Sequence, residues 1–393
     1  MTVQHFADTR FPIERANGVQ TMATCHALAM RGHDVTLIVR PDTAPVPRDP
    51  FAFYDWPPID RLRIESVPAL GGHRRRRVRF LLDALRRVHA HPDAVVYTRD
   101  LGVAAFLLQL PSDRRPRVVY ESHGIAPEVT AEMPALLGKP ELAPSARKLR
   151  RLDRRERRVW TRAAAYVAIT RALGDDLASR YGPRPNLFVV PDGARPGAMD
   201  GQQRAPGTPP VAAYAGHLYP WKGVDVFVRA LACTPGVRGL IVGGHPGEAD
   251  GQRIQALVQE SGLGDRIEMT GLVPPGEVRA RLGSADILVL PNTASTISER
   301  YTSPLKLFEY LTLRKPIVAS DLPAIREVLA DERTALLVPP GDVAALGRAI
   351  SRLASDSRLS AELGEAAFAL APSFSWNARA ARLEPALEAA RAR

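Results

Sequence analysis

Cysteine is scarce in this chain. Only Cys25 and Cys233 occur in 393 residues, far apart and each inside an apolar helical pattern. That excludes a disulfide framework or a cysteine-rich metal site, and both thiols read as buried side chains. Long apolar runs are missing too, none approaching the ~18 residues that a membrane span requires. The first residues, MTVQHFADTRFPIERANG, lack the basic-then-apolar layout of a secretory leader, so the expected location is the cytoplasm. No internal repeat of roughly 20–50 residues is visible, which excludes a solenoid or propeller.

What is present suits an ordinary globular protein: 45% hydrophobic and 24% charged residues, enough to bury sizeable cores. At ~150 residues per domain the length points to two or three domains, and we read two. The net charge of +11 belongs to the first half: residues 1–195 carry 32 Lys+Arg against 21 Asp+Glu, whereas residues 196–393 carry 21 of each. Two segments concentrate it, HRRRRVRFLLDALRRVHAH (His73 to His91) and SARKLRRLDRRERRVWTRAAAYV (Ser145 to Val167). Wound as a helix, the first aligns Phe80, Leu81, Leu85 and Val88 with arginines on the flanks. This suits an anionic membrane surface as well as a solvated face over a core-facing stripe. The second reads as a solvated linker helix.

Apolar strand-like runs recur at 34–40, 94–100, 117–124, 164–170 and 187–193, most of them separated by helix-period segments such as VQTMATCHALAMRG, which Gly32 closes. A glycine- and proline-crowded stretch follows, and the rhythm restarts at 210–216, 238–244, 266–271, 286–292, 316–321 and 335–342. The pattern predicts an α/β fold of two doubly wound parallel-sheet domains, at 1–195 and 210–371. A linker at 196–209 joins them, and a final helical stretch, 372–393, is expected to pack back on the first. Such sheets bind ligands at the carboxyl ends of their strands, here in a cleft between the two domains.

The residues at those strand ends point to a nucleotide. In GHLYPWKG, Gly216 ends a strand where a side chain would obstruct a close backbone approach, and Lys222 lies near the start of the next helix; both suit a phosphate. His217 adds a hydrogen bond, or a charge when protonated. In SERYTSPLKLFEYL, Pro304 suits a first helical turn. The amides near Thr302, Ser303, Pro304 and Leu305 would then face an anion, with Lys306 alongside. Glu309, one turn on, suits the two hydroxyls of a ribose. From the first domain, Gly18 brings a backbone amide, and Glu121 and His123 stand at a strand end where a histidine can bond a sugar or accept a proton. Arg99 and Asp100, ending another strand, are acceptor-side candidates with Glu121. No acidic or His/Cys cluster has metal-ligand spacing, so no metal is expected.

These motifs resemble family 4 of the retaining glycosyltransferases, enzymes of the GT-B fold with two Rossmann-like domains that transfer a sugar from a nucleotide donor. GHLYPWKG is similar to the family's phosphate turn, and SPLKLFEYLTLRKPIVASDLPAIREVL to its donor-binding helix and following strand. ADILVLPN and GVQTMATCHALAMRGHDVTLIVR match further segments. The resemblance implies that Lys222 and the amides from Ser303 to Leu305 neutralise the leaving diphosphate. It also implies that Glu309 holds the ribose, Gly18 approaches the phosphates and His123 sits beside the transferred sugar. It implies a UDP- or GDP-sugar donor, no further cofactor, a metal-independent reaction and an α-linked product on a hydroxyl-bearing acceptor.

Two departures stand out. The family's first donor glutamate is Tyr301 here, with Glu299 the nearest carboxylate, so both are candidate donor-sugar contacts. The family's arginine after the turn glycine is His217, so donor binding is expected to weaken as pH rises. The basic first half suits an anionic or lipid-linked acceptor at the inner membrane surface. Rival readings are a sugar-nucleotide epimerase of the same architecture and a basic nucleic-acid-binding protein, though no nucleic-acid-reading motif is present.

Overall fold

A computed structural model describes residues 1–68, 71–195, 208–244 and 249–392. The interdomain linker read at 196–209 lies almost wholly outside the described residues.

The chain forms two compact units. The first comprises Met1–Ala131, Pro144–Asp192 and Trp376–Arg393, the second Glu132–Ala143 and Gly193–Ser375. The first unit holds strands β1 (Thr2–Arg10), β2 (Asp34–Arg40), β3 (Leu62–Ser66), β4 (Val95–Thr98), β5 (Val118–Ser122), β6 (Ala165–Ala168) and β7 (Leu187–Val189). They make a parallel sheet in the order β3-β2-β1-β4-β5-β6-β7. The second unit holds β8 (Val211–Ala215), β9 (Arg238–Val242), β10 (Ile267–Gly271), β11 (Ile287–Leu290), β12 (Ile317–Ser320) and β13 (Leu336–Val338). Its sheet, also parallel, runs β10-β9-β8-β11-β12-β13. Every residue of β4, β6, β11 and β12 is buried, as expected where helices cover both faces of a parallel sheet.

All six second-half runs are strands, but β1 and β3 were not anticipated. β1 carries Gln4, His5 and Asp8 within TVQHFADTR, so neither an apolar run nor a clean alternation marks it. Two of its polar groups find partners on other elements: His5 Nδ1 meets Cys25 Sγ at 3.1 Å, and the Phe6 carbonyl accepts from Thr98 Oγ1 at 2.7 Å. Cys25 is buried as expected. Cys233 is exposed, because it stands one residue beyond the helix Val224–Ala232 rather than on its inner face.

Helix Trp376–Arg391 belongs to the first unit, packing on helix Ala16–Met30 and on β6. The inclusion of Glu132–Ala143 in the second unit has no signature in the sequence.

One glycine is fixed by two independent constraints. Gly223 precedes helix Val224–Ala232 at φ +67°, and a Cβ there would stand 1.7 Å from the Pro291 carbonyl oxygen. Gly223→Ala is therefore expected to destabilise the protein by about 1–3 kcal/mol, read as a lowered midpoint of chemical unfolding with unchanged slope.

Candidate functional site

In each sheet the strand order reverses between neighbours whose connections leave in opposite directions, β1 and β4 in the first unit and β8 and β11 in the second. The crevice outside the carboxyl ends of such strands is where open parallel sheets hold ligands. The candidate residues collect there.

In the second unit, β8 ends at Ala215 and is followed by Gly216 at φ +128°, where a Cβ would come within 3.0 Å of Lys306 Nζ. A short 3-10 turn, Pro220–Lys222, then leads to the helix. Within the turn His217 stacks on Tyr219 (5.0 Å between centroids, 14° between planes), and Tyr219 stacks on Trp221 (4.7 Å, 13°). Tyr214 donates to the His217 carbonyl at 2.5 Å. These contacts fix the loop between Gly216 and Lys222.

Helix Leu305–Leu311 is tied to the same strand ends by Tyr310. Its buried hydroxyl accepts from the Ala215 amide at 3.0 Å and donates to the Val289 carbonyl at 3.3 Å. Lys306, four residues earlier on the helix, is thereby set beside Gly216. Its Nζ lies 3.7 Å from the centroid of the Tyr214 ring, is shielded from solvent and, among the described residues, has no hydrogen-bond partner. A buried ammonium is unfavourable. Burial, reinforced by the nearby charge of Lys222, pushes its pKa well down. Burial also lowers Lys222, to about 8. Glu309 is raised by burial to about 7, against the pull of Lys306 and Arg279. Two cations and one carboxyl, each strained by desolvation, thus share one electrostatic neighbourhood, an arrangement typical of binding sites.

The flanking residues are accounted for differently. Pro304 is the residue before the helix rather than in its first turn. Thr302 Oγ1 donates to the Ile297 carbonyl at 2.6 Å, closing the short helix Thr296–Arg300 that carries Glu299. Tyr301 is buried, Glu299 and Ser303 are half-buried. Buried Asn292, just past β11, has both side-chain polar atoms without hydrogen-bond partners among the described residues.

The first unit gathers a second cluster around Glu121. This fully buried carboxylate accepts from Gln20 Nε2 at 2.6 Å, His123 Nε2 at 2.7 Å, Arg379 Nη2 at 2.5 Å and the Tyr97 hydroxyl. Burial opposes its charge, but Arg379 and His123 outweigh that and hold it well below the usual carboxylate range. Glu121 therefore has no open face for an acceptor. It orients His123. Burial, with Arg99, lowers the His123 pKa despite Glu121. The neutral ring gives its Nε2 proton to Glu121, and Nδ1 is left as an acceptor. Arg99 joins through Gln20, whose Oε1 accepts from Arg99 Nη1 at 2.8 Å. Asp100 caps helix Leu101–Leu107 through the Val103 amide at 2.9 Å and pairs with Arg77 at 2.7 Å.

Gly18 lies inside helix Ala16–Met30, not before it, and its amide donates to the Arg15 carbonyl at 2.9 Å. A Cβ there would meet the Tyr54 hydroxyl at 2.3 Å, so close packing explains this glycine. Arg379 was missed: in WNARAARLEPALEAARAR it is one arginine of several, and nothing local marks it as buried.

The family model for "Glycosyl transferases group 1" matches residues 209–356, and that for the "Glycosyl transferase 4-like domain" matches residues 17–193. The chain is 30% identical over 240 residues to the D-inositol 3-phosphate glycosyltransferase of Nocardia farcinica, covering 56% of this chain and 51% of that one. It is 27% identical over 160 residues to the alpha-D-kanosaminyltransferase of Streptomyces kanamyceticus, covering 40% and 39%. It thus spans at most about half the length of these relatives. Among solved structures, sucrose-phosphate synthase from Thermosynechococcus elongatus superposes with a TM-score of 0.75 at 20% identity, covering 98% of this chain and 97% of that one. HepE of Anabaena, in complex with UDP-glucose, does so at 0.72 and 17%, covering 99% of each. The two family models follow one another along the chain, one on each parallel sheet, and the protein belongs to the family 4 glycosyltransferases of the GT-B fold.

Proposed function

We propose that this protein transfers a sugar from a nucleoside diphosphate sugar, a UDP- or GDP-sugar, to a hydroxyl-bearing acceptor with retention of anomeric configuration. The observation that carries this is the Lys306 amine, shielded from water, without a hydrogen-bond partner among the described residues, and set against the glycine that follows β8. A diphosphate is an anion that this pair of lysines can hold together. Lys306, charged once the diphosphate is bound, also supplies the cation that His217 does not.

In this reading Lys222 and Lys306 hold the diphosphate, and ionised Glu309 accepts both ribose hydroxyls. As the bond from the sugar's anomeric carbon to phosphate oxygen breaks, negative charge grows on the leaving diphosphate, where the lysines stabilise it. The acceptor oxygen takes the anomeric carbon from the same face, and its proton passes to the departing phosphate oxygen. His123, oriented by Glu121, accepts a hydrogen bond from a sugar hydroxyl. The lysines do what a divalent cation would otherwise do, so transfer is expected to survive EDTA. Incubation with a panel of nucleotide sugars tests the proposal: release of nucleoside diphosphate that depends on Lys222 and Glu309 supports it, and none from any donor overturns it. Proton NMR of the product reads the anomeric configuration.

The pH profile follows from signs. Lys222 loses its charge as pH rises through about 8, weakening its hold on the donor. Glu309 loses its charge as pH falls through about 7, weakening the ribose contact. The profile of kcat/KM, which reports the free enzyme, is expected to be bell-shaped with its maximum between these values. Glu309→Gln removes the acidic limb. Because diphosphate favours charged Lys306, UDP binding takes up protons, seen as a dependence of calorimetric enthalpy on buffer ionisation heat.

A further inference from the structure

A cavity of about 410 Å³ opens in the first unit, within the ~300–1,000 Å³ range of small-molecule sites. Its wall includes Asp8 of β1, Arg40 at the end of β2 and Gly102 just after β4, so it reaches the carboxyl edge at the β1/β4 reversal. Arg77 and Leu81 come from helix His73–Ala90, Phe106 from helix Leu101–Leu107, and Arg155 from helix Ala146–Arg162.

The charges in this wall are unequal in kind. Arg40 pairs with Asp8 at 3.1 Å, and Arg77 bridges Asp8 and Asp100. That ladder neutralises itself and fixes the Arg77 fork. Arg155 is left over. It is half-buried and, among the described residues, has no hydrogen bond or ion pair. Burial and the neighbouring Arg151 and Arg77 disfavour its charge and outweigh the pull of Asp100. An anion entering the cavity would relieve all of these at once. The apolar side of the wall, Leu81 and Phe106, matches the face of a sugar or cyclitol ring.

We propose that this cavity binds a phosphate ester of a hydroxylated molecule, with the phosphate on Arg155 and Arg77 and the hydroxyls on Asp8. Resting on the glycosyltransferase reading above, it makes this the phosphate subsite of the acceptor. The phosphate belongs either to a soluble sugar phosphate or to a lipid headgroup, a distinction the test resolves.

The experiment uses the full chain carrying Lys222→Met and Lys306→Met, so that phosphate held in the second unit does not contribute. Glucose 6-phosphate and glucose are titrated calorimetrically, and vesicles of phosphatidylglycerol or phosphatidylcholine are co-sedimented with the protein. The expected result is binding of one phosphate probe: glucose 6-phosphate for a soluble acceptor, phosphatidylglycerol for a lipid one. Glucose and phosphatidylcholine do not bind. Arg155→Gln weakens that binding by about ten-fold or more, and Arg155→Lys restores part of it. Gly102→Val, whose Cβ falls 2.1 Å from Arg77 Nη2, weakens it with Arg155 intact. Binding of neither phosphate probe, or binding indifferent to both Arg155→Gln and Gly102→Val, overturns the proposal. UDP titrated into the unsubstituted protein reports the donor reading separately. UDP binding without either phosphate probe discards the acceptor subsite alone, and the converse discards the donor site alone.

Discussion

Lys306→Met is expected to lower turnover by about 10²–10³-fold while raising, not lowering, the temperature of unfolding of the ligand-free protein. The two effects have one cause. In the free protein the Lys306 amine is shut away from water over the Tyr214 ring with, among the described residues, no hydrogen-bond partner, and an unsatisfied polar group of this kind is a net loss to stability. Methionine keeps an unbranched stem and places sulfur against the same ring, a favourable contact. Only the charge that meets the diphosphate is gone. A stabilised, inactive variant is the signature of a residue kept for its ligand, and differential scanning calorimetry beside a donor-turnover assay reads both halves. A variant that melts earlier, or that keeps full turnover, removes Lys306 from the site.

Arg379→Met is expected to act in the opposite sense, destabilising the protein by about 3–5 kcal/mol, because it strands a buried carboxylate. Arg379 and Glu121 are both fully buried, and the guanidinium also donates to the Val190 and Pro191 carbonyls at 3.1 and 3.2 Å. Adding Glu121→Gln removes the stranded charge, so the double variant should recover part of the loss. The coupling in a double-mutant cycle of urea unfolding measures it. The pair also sets a pH dependence. Glu121 is depressed below the usual carboxylate range, so its contribution is present at neutral pH and is lost as acid protonates it in the folded state. Turnover should fall as well, since His123 is held by the same carboxylate.

How legible such features were depended on how local their causes are. Most strands of the second sheet are short apolar runs closed by glycine, proline or aspartate, and all six could be read directly. Lys222, Lys306 and Glu309 were legible for the same reason: each lies within a few residues of a strand end or helix start whose position is set by neighbours in sequence. β1 was not, because its polar residues break the apolar pattern, and the partners of His5 and of the Phe6 carbonyl, Cys25 and Thr98, are invisible without the fold. Arg379 was not, because its acceptor is 258 residues away. Gly18 was noticed for a phosphate contact but is explained by the bulk of Ile13 and Tyr54. Pro304 was placed one residue too far into its helix, the usual uncertainty of a helix boundary.

The first unit is assembled from three separate stretches of chain, the last of them Trp376–Arg393. During synthesis, then, the leading sheet emerges first yet must wait for the closing helix before Glu121 meets its arginine. Ribosome-bound chains halted anywhere before residue 376 should carry that sheet in an unfinished, protease-sensitive state, and a gene cut after Asp192 should not yield a stable leading half.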